Sequence, residues 1–328
     1  MTTRRAFISL LGGAAAAWPL AARAQQQPMP VIGVLATAAP EASAIRLSAI
    51  REGLRTVGYV DGQNVKVEYR WAEVHTGRLP ALAAELVSRQ VAVIVTSSTA
   101  SALAAKAATN EIPIVFGIGA DPVEVGLIAS LNRPGGNVTG VTSLNIEVAP
   151  KRLELMHELL PSVTNMALLI NPATPALAEP VSRSSKAAAQ ALGLQLHIVH
   201  ARSDRDFDAI FERLIELRVA ALVIGPDNLF TIHKEELAKL TVRHSIPPIY
   251  QYREFAAAGG LMSYGTSETG YYRLVGAYAG RVLKGDKPAD LPVQQSTKAE
   301  LFLNLKTAKA LGITVPLPLS GRADEVFE

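Results

Sequence analysis

Val91-Ala92-Val93-Ile94-Val95 and Val219-Ala220-Ala221-Leu222-Val223 are apolar runs of one type. Ile112-Pro113-Ile114-Val115-Phe116 and Ile246-Pro247-Pro248-Ile249-Tyr250 repeat the relation further on. Short unbroken runs rich in Val and Ile read as strands buried on both faces, as in parallel sheets. Around the first pair lie further strand runs, Pro30 to Ala36 and Val65 to Trp71. Helical patterns separate them: Ile45, Ile50, Leu54 and Val57 closed by Gly58, then Leu79, Leu82, Ala83 and Leu86, then Ala100 to Thr109. Around the second pair the alternation returns. Strands at Met166 to Ile170, Leu194 to Val199, Ala220 to Ile224 and Pro248 to Tyr250 flank helices at Ser182 to Leu192, Phe207 to Leu217 and Lys234 to Val242. The chain therefore holds two copies of one α/β architecture, offset by roughly 130 residues.

The segments between the copies predict a hinge. Val141 to Asn145 reads as a crossover, Leu261 to Gly265 as a return, and Leu291 to Thr297 as a third passage. The expected fold class is α/β, with two doubly wound parallel-sheet lobes joined by three crossovers. Residues 25–142 with 265–292 make the first lobe, and 143–264 with 293–328 the second.

In open parallel sheets, ligands bind outside the carboxyl ends of the strands. Those ends carry Thr37 and Ala38, then Ser97, Ser98 and Thr99, then Gly119 and Asp121, and in the second copy Asn171, Asp227, Asn228 and Tyr250. Ser143 and Tyr264 stand at the crossovers. Two facing lobes would bring all of them to one cleft, and these thirteen residues are the candidate ligand contacts. Ser97-Ser98-Thr99 precedes a helix, whose free N–H groups and dipole suit a carboxylate, although the same residues serve equally as a plain cap. Asp121 and Asp227 suit an ammonium group, and Asp121 also suits a capping role. Tyr250 and Tyr264 suit stacking or hydrogen bonding, and also a lobe core.

Composition narrows the partners. The net charge is +3, but residues 1–24 hold three arginines and no acidic residue. Without them 29 basic residues balance 29 acidic ones, so charge gives no case for nucleic acid. Thr3-Arg4-Arg5-Ala6-Phe7-Ile8, the apolar stretch to Leu20 and Ala22-Arg23-Ala24 read as a twin-arginine signal peptide over 1–24. The stretch is too short for a span, so no stable membrane insertion is expected. The chain has no cysteine, which removes lipoprotein anchoring, disulfides and thiolate metal sites. G-x-S-x-G, H-E-x-x-H and the phosphate-loop motif are missing, and His197 and His200 on one strand face opposite sides. The expectation is a periplasmic monomer that is not an enzyme and has no cofactor or metal.

Several motifs together carry a family resemblance: Gly58-Tyr59-Val60-Asp61-Gly62-Gln63-Asn64-Val65, Asp121-Pro122-Val123, Gly126-Leu127-Ile128, Arg133-Pro134-Gly135-Gly136-Asn137-Val138-Thr139-Gly140-Val141, Leu303-Asn304-Leu305-Lys306-Thr307-Ala308 and Arg322-Ala323-Asp324-Glu325-Val326. With Ile112 to Phe116 they resemble ABC-transporter substrate-binding proteins of the tryptophan/tyrosine-binding (TrpX-like) type. The resemblance implies the type I periplasmic-binding-protein fold, a small organic solute (an amino acid or an aromatic acid) held between the lobes, and ABC permease subunits as partners. A solute sensor, or an enzyme using the same cleft, are the alternative roles.

Overall fold

The computed structural model describes residues 29–73 and 75–328. The signal peptide expected at 1–24 lies outside the described residues. The first half alternates β1 (Val31–Ala36), α1 (Ala44–Thr56), β2 (Lys66–Trp71), α2 (Leu79–Ser88), β3 (Val93–Thr96), α3 (Thr99–Ala108), β4 (Ile114–Ile118) and β5 (Val138–Ser143). The second runs α4 (Ala149–Leu159), β6 (Asn165–Ile170), α5 (Pro175–Ala191), β7 (Gln195–His200), α6 (Phe207–Glu216), β8 (Ala221–Ile224), α7 (Asn228–Ile232), α8 (Lys234–Arg243), β9 (Pro248–Tyr250), α9 (Arg253–Ala257) and β10 (Met262–Thr266). Then come α10 (Glu268–Leu283), β11 (Gln294–Ser296), β12 (Ala299–Asn304), α11 (Leu305–Ala310), α12 (Leu317–Ser320) and β13 (Glu325–Phe327).

These strands form two sheets, ordered β11-β5-β4-β3-β1-β2 and β13-β12-β10-β9-β8-β6-β7. Every pairing is parallel except β10 with β12. Each sheet buries both faces, which is why its central strands are apolar throughout rather than alternating. In the first lobe α1 and α10 cover one face, with Ile50, Leu54 and Val275 in the core, and α2 and α3 cover the other. In the second lobe α4 and α5 pack on one face and α6 and α8 on the other.

The chain passes between sheets after Ser143, after Thr266 and after Ser296. Ser143 and Gln294–Ser296, placed in the second lobe from sequence, instead lie in the first sheet, where β11 pairs with β5, and Gly265 and Thr266, placed in the first lobe, lie in β10 of the second sheet. A buried node ties the first two crossovers. Arg152, fully buried on α4, donates from Nε to Tyr264 O at 2.7 Å and from Nη2 to Asn145 O at 2.9 Å. Asn145 Oδ1 accepts from Thr266 N–H at 3.1 Å, and Thr266 Oγ1 accepts from Leu144 N–H at 3.3 Å. Burial, without a carboxylate partner among the described residues, lowers Arg152 to about 10.

Two local readings change. Helix α5 starts at Pro175, seven residues before the predicted start at Ser182. Pro175 fits the first turn, where its missing N–H costs nothing, and the helix continues through Pro180 by giving up one internal bond. On α1 the buried stripe is Arg46, Ala49, Ile50, Gly53 and Leu54, while Ile45 is 45% exposed. The stripe begins one residue later than predicted and puts a charged side chain on the core face.

Candidate functional site

The tips of both sheets meet around a cavity of about 240 Å³. That exceeds the roughly 150 Å³ of an apolar cavity that takes benzene, so a small ring-bearing molecule has room. From the first lobe Thr37, Ser97, Ser98, Thr99, Gly119 and Ser143 border it. From the second come Asn171, Asp227 and Asn228.

Each tip is fixed by local chemistry. Ser98 caps α3: its Oγ accepts from Ser101 N–H at 3.1 Å, and Ser98 N–H donates to Ser101 Oγ at 3.1 Å. The N–H groups of Thr99 and Ala100, in the first turn, have no acceptor within the helix, and both residues border the cavity. Asp227 caps α7 by accepting from Leu229 N–H at 2.8 Å. The same carboxylate accepts from Asn171 Nδ2 at 3.1 Å and from Thr174 Oγ1. It therefore ties the ends of β6 and β8 to the start of α5.

Helices α10, which starts just past the end of β10, and α1 complete the wall. Tyr271 and Tyr272 of α10 border the cavity with their rings edge to face, centroids 4.7 Å apart. Tyr272 donates its hydroxyl to Ser97 O at 3.0 Å. Burial raises both tyrosines, so both hydroxyls remain protonated donors. Arg46 of α1 donates from Nε to Glu268 Oε1 at 2.7 Å, with its guanidinium 5.5 Å from the Tyr272 ring centre. Burial opposes the charge of Arg46, and Tyr272 and Glu268 more than offset it, so it stays above the ordinary guanidinium range. The lobes touch here. Asn228 accepts from Arg46 Nη1 at 3.0 Å and donates to Thr37 Oγ1 at 3.0 Å.

Four candidates from sequence stand off the cavity. Tyr250 is fully buried in the second lobe, with its hydroxyl 2.7 Å from Thr231 Oγ1 and its ring 4.8 Å from Phe255. Side chains alternate along a strand, and Tyr250 falls on the core side, while the following Gln251 and Tyr252 border the cavity. Tyr264 packs on the core beside α4, and its carbonyl holds Arg152. Ala38 is buried without reaching the cavity. Asp121 is exposed and accepts from Val123 and Glu124 N–H at 2.7 and 3.2 Å. The sequence reading missed Arg46, Tyr252, Tyr271 and Tyr272. Arg46 had a signal, a charge on an apolar helical stripe; the tyrosines of α10 had none, because only the fold brings them to the cleft.

Glu254 of α9 is raised, first by burial and then by the nearby Glu268 carboxylate, and its Oε2 has no partner. A carboxyl raised on folding binds more protons in the native than in the unfolded chain. Stability from this group is therefore lost as pH rises from the ordinary value of 4.5 through the folded value. Glu254→Gln is expected to melt higher than wild type at pH 7, with the gain gone below pH 4.5. Calorimetry across that range checks it, and a gain that persists at acid pH refutes the ionisation account.

Among the described residues no three His, Cys, Asp or Glu gather to hold a metal, and no helix is long and apolar enough to cross a membrane. Residues 31–327 match the family model for the ABC transporter substrate binding protein. A tyrosine-binding protein of Clostridioides difficile (strain R20291) is 29% identical over 274 residues, 79% of this chain and 74% of its own. The crystal structure of an ABC domain in complex with L-Trp, from Streptococcus pneumonia, superimposes with a TM-score of 0.83 at 26% identity. It covers 91% of this chain and 99% of that one. The ligand-free, open structure of a substrate binding protein with adhesive properties from Clostridium difficile matches over the same shares, with a TM-score of 0.66 at 23% identity.

Proposed function

The chain belongs to the ABC transporter substrate binding protein family, and from that premise we propose that its interlobe cavity closes on an aromatic amino acid in the periplasm and presents it to an importer permease. The carrying observation is the balance of groups around the cavity. Arg46 is matched by Glu268, and Arg202 is exposed to solvent. Asp227, only 7% exposed, has no ion-pair partner among the described residues. It suits the ammonium of a zwitterion. The free N–H groups at the start of α3 suit the carboxylate. Tyr252, Tyr271, Tyr272 and Leu177 supply the apolar and aromatic wall for a ring. The names of the relatives, a tyrosine binder and a complex with L-Trp, support the same solute class.

A carrier hands over its solute as it took it up, so the solute is expected to leave unchanged. The test is a thermal-shift panel of L-tryptophan, L-tyrosine, L-leucine and benzoate, with mass spectrometry of the recovered solute. A ligand at a hundredfold its dissociation constant adds about 2.7 kcal/mol, a shift of roughly 4 °C for a chain this long. L-tryptophan or L-tyrosine is expected to give it. A shift with leucine or benzoate alone removes the aromatic amino acid, and a chemically altered solute removes the transport role.

A further inference from the structure

We propose that Arg46 couples the solute to lobe closure, acting as the donor that a solute oxygen engages only when Asn228 has latched across the cleft. The proposal rests on the reading that the cavity holds a solute. Arg46 is 5% exposed, yet each nitrogen of its guanidinium has a different outlook. Nε is anchored within its own lobe on Glu268, at the first turn of α10 just after the second crossover. Nη1 reaches the opposite lobe at Asn228 Oδ1. Nη2 has no protein partner among the described residues and is not sealed from open space, and the cavity is the open space that Arg46 borders.

Asn228 completes the device. It is the first residue of α7, directly after Asp227, so the β8 tip carries it. Its amide accepts from Arg46 and donates to Thr37, and both partners are in the first lobe. Opening the lobes breaks both of those bonds and leaves the bond to Glu268 intact. Glu268 also cancels the charge of Arg46, so Nη2 offers direction rather than net attraction. It selects an oxygen acceptor placed in its plane, since the guanidinium fork is rigid. A solute oxygen there fixes the plane in which Nη1 must meet Asn228. Recognition and closure are then one event, held by one planar group.

The experiment uses the absence of cysteine from the chain. Gly77→Cys and Arg205→Cys, at exposed sites near the cavity-bordering Thr76 and Arg202, carry spin labels on opposite lobes. A side chain at 77 meets nothing within 4 Å. Distance distributions are read with and without L-tryptophan in the otherwise wild-type chain, in Asn228→Ala, in Arg46→Lys and in the double variant, alongside binding kinetics. Lysine keeps a cation for Glu268 and removes the other two donors. Asn228→Ala is expected to raise the dissociation rate about tenfold with little change in association. Arg46→Lys is expected to weaken binding about thirtyfold, and the double variant no more than that, because each loss disables the same latch.

Losses that multiply in the double variant overturn the coupling, as does a closed distance under saturating L-tryptophan that survives Arg46→Lys. Without solute, the wild type is expected to show a short-distance component that Asn228→Ala lacks, and identical ligand-free distributions overturn the latch. If L-tryptophan leaves the wild type unmoved, the solute assignment fails, and the ligand-free distributions alone decide the latch.

Discussion

Gly276→Ala is expected to destabilise the protein by about 3 kcal/mol and to weaken solute binding even where the variant remains folded. A β-carbon at Gly276 of α10 would stand 2.0 Å from Ile50 O of α1, and one at Gly53 of α1 would stand 1.9 Å from Arg273 O of α10. The two helices cross glycine against backbone from both sides. Backbone cannot yield as a flexible side chain does, so the added methyl must push one helix off the sheet. Both helices carry the cavity wall. Arg46 leaves α1 seven residues before Gly53, and Glu268, Tyr271 and Tyr272 lie one to two turns before Gly276. Displacing α10 therefore moves the Tyr272 hydroxyl away from Ser97 O and the Glu268 carboxylate away from Arg46. Thermal unfolding and the L-tryptophan dissociation constant check the two effects together. A melting point within a degree of wild type would mean that the crossing is loose and that the glycines do not set the wall.

The architecture was legible because its signal is local. A parallel strand buried on both faces is a short apolar run, and Val93–Thr96 and Ala221–Ile224 declare themselves in a few residues. The strand ends then follow, and with them Ser97, Ser98, Asn171, Asp227 and Asn228 at the cavity. What failed depended on direction or on distance along the chain. Choosing Ile45 instead of Arg46 as the start of the α1 stripe is an error of one residue, yet one residue turns a helix by about 100° and exchanges a solvent-facing side chain for the buried cation of the cleft. Tyr250 was placed at the right strand end on the wrong side of the pleat. Tyr271 and Tyr272 sit on a helix whose apolar stripe reads only as core. Their place at the cleft depends on α10 returning to the first lobe and on the glycine crossing with α1, a relation between residues more than 200 positions apart. The antiparallel β12 and the terminal β13 extend the second sheet without a motif in the repeat to announce them.

Asp227→Ala is expected to lower affinity for L-tryptophan about a hundredfold or more, near 2.7 kcal/mol, and to lower the melting point as well. Two causes are folded together in that loss, and Asp227→Asn separates them. The carboxylate caps α7, and removal of such a cap costs about 1 kcal/mol. It also receives Asn171 and Thr174, which alanine would leave without their acceptor. Asparagine keeps an oxygen for the cap, because it is itself a good cap residue, and loses the charge. The asparagine variant is therefore expected to melt close to wild type while binding L-tryptophan nearly as poorly as the alanine variant. Indole-3-propionate keeps the ring and the carboxylate without the ammonium, so the same variant should bind it almost as well as wild type does. That contrast follows only if the Asp227 charge faces the solute's ammonium. Should asparagine restore L-tryptophan binding, Asp227 acts by holding the β6 and β8 tips in register, and the cation-binding role passes to another group in the cleft.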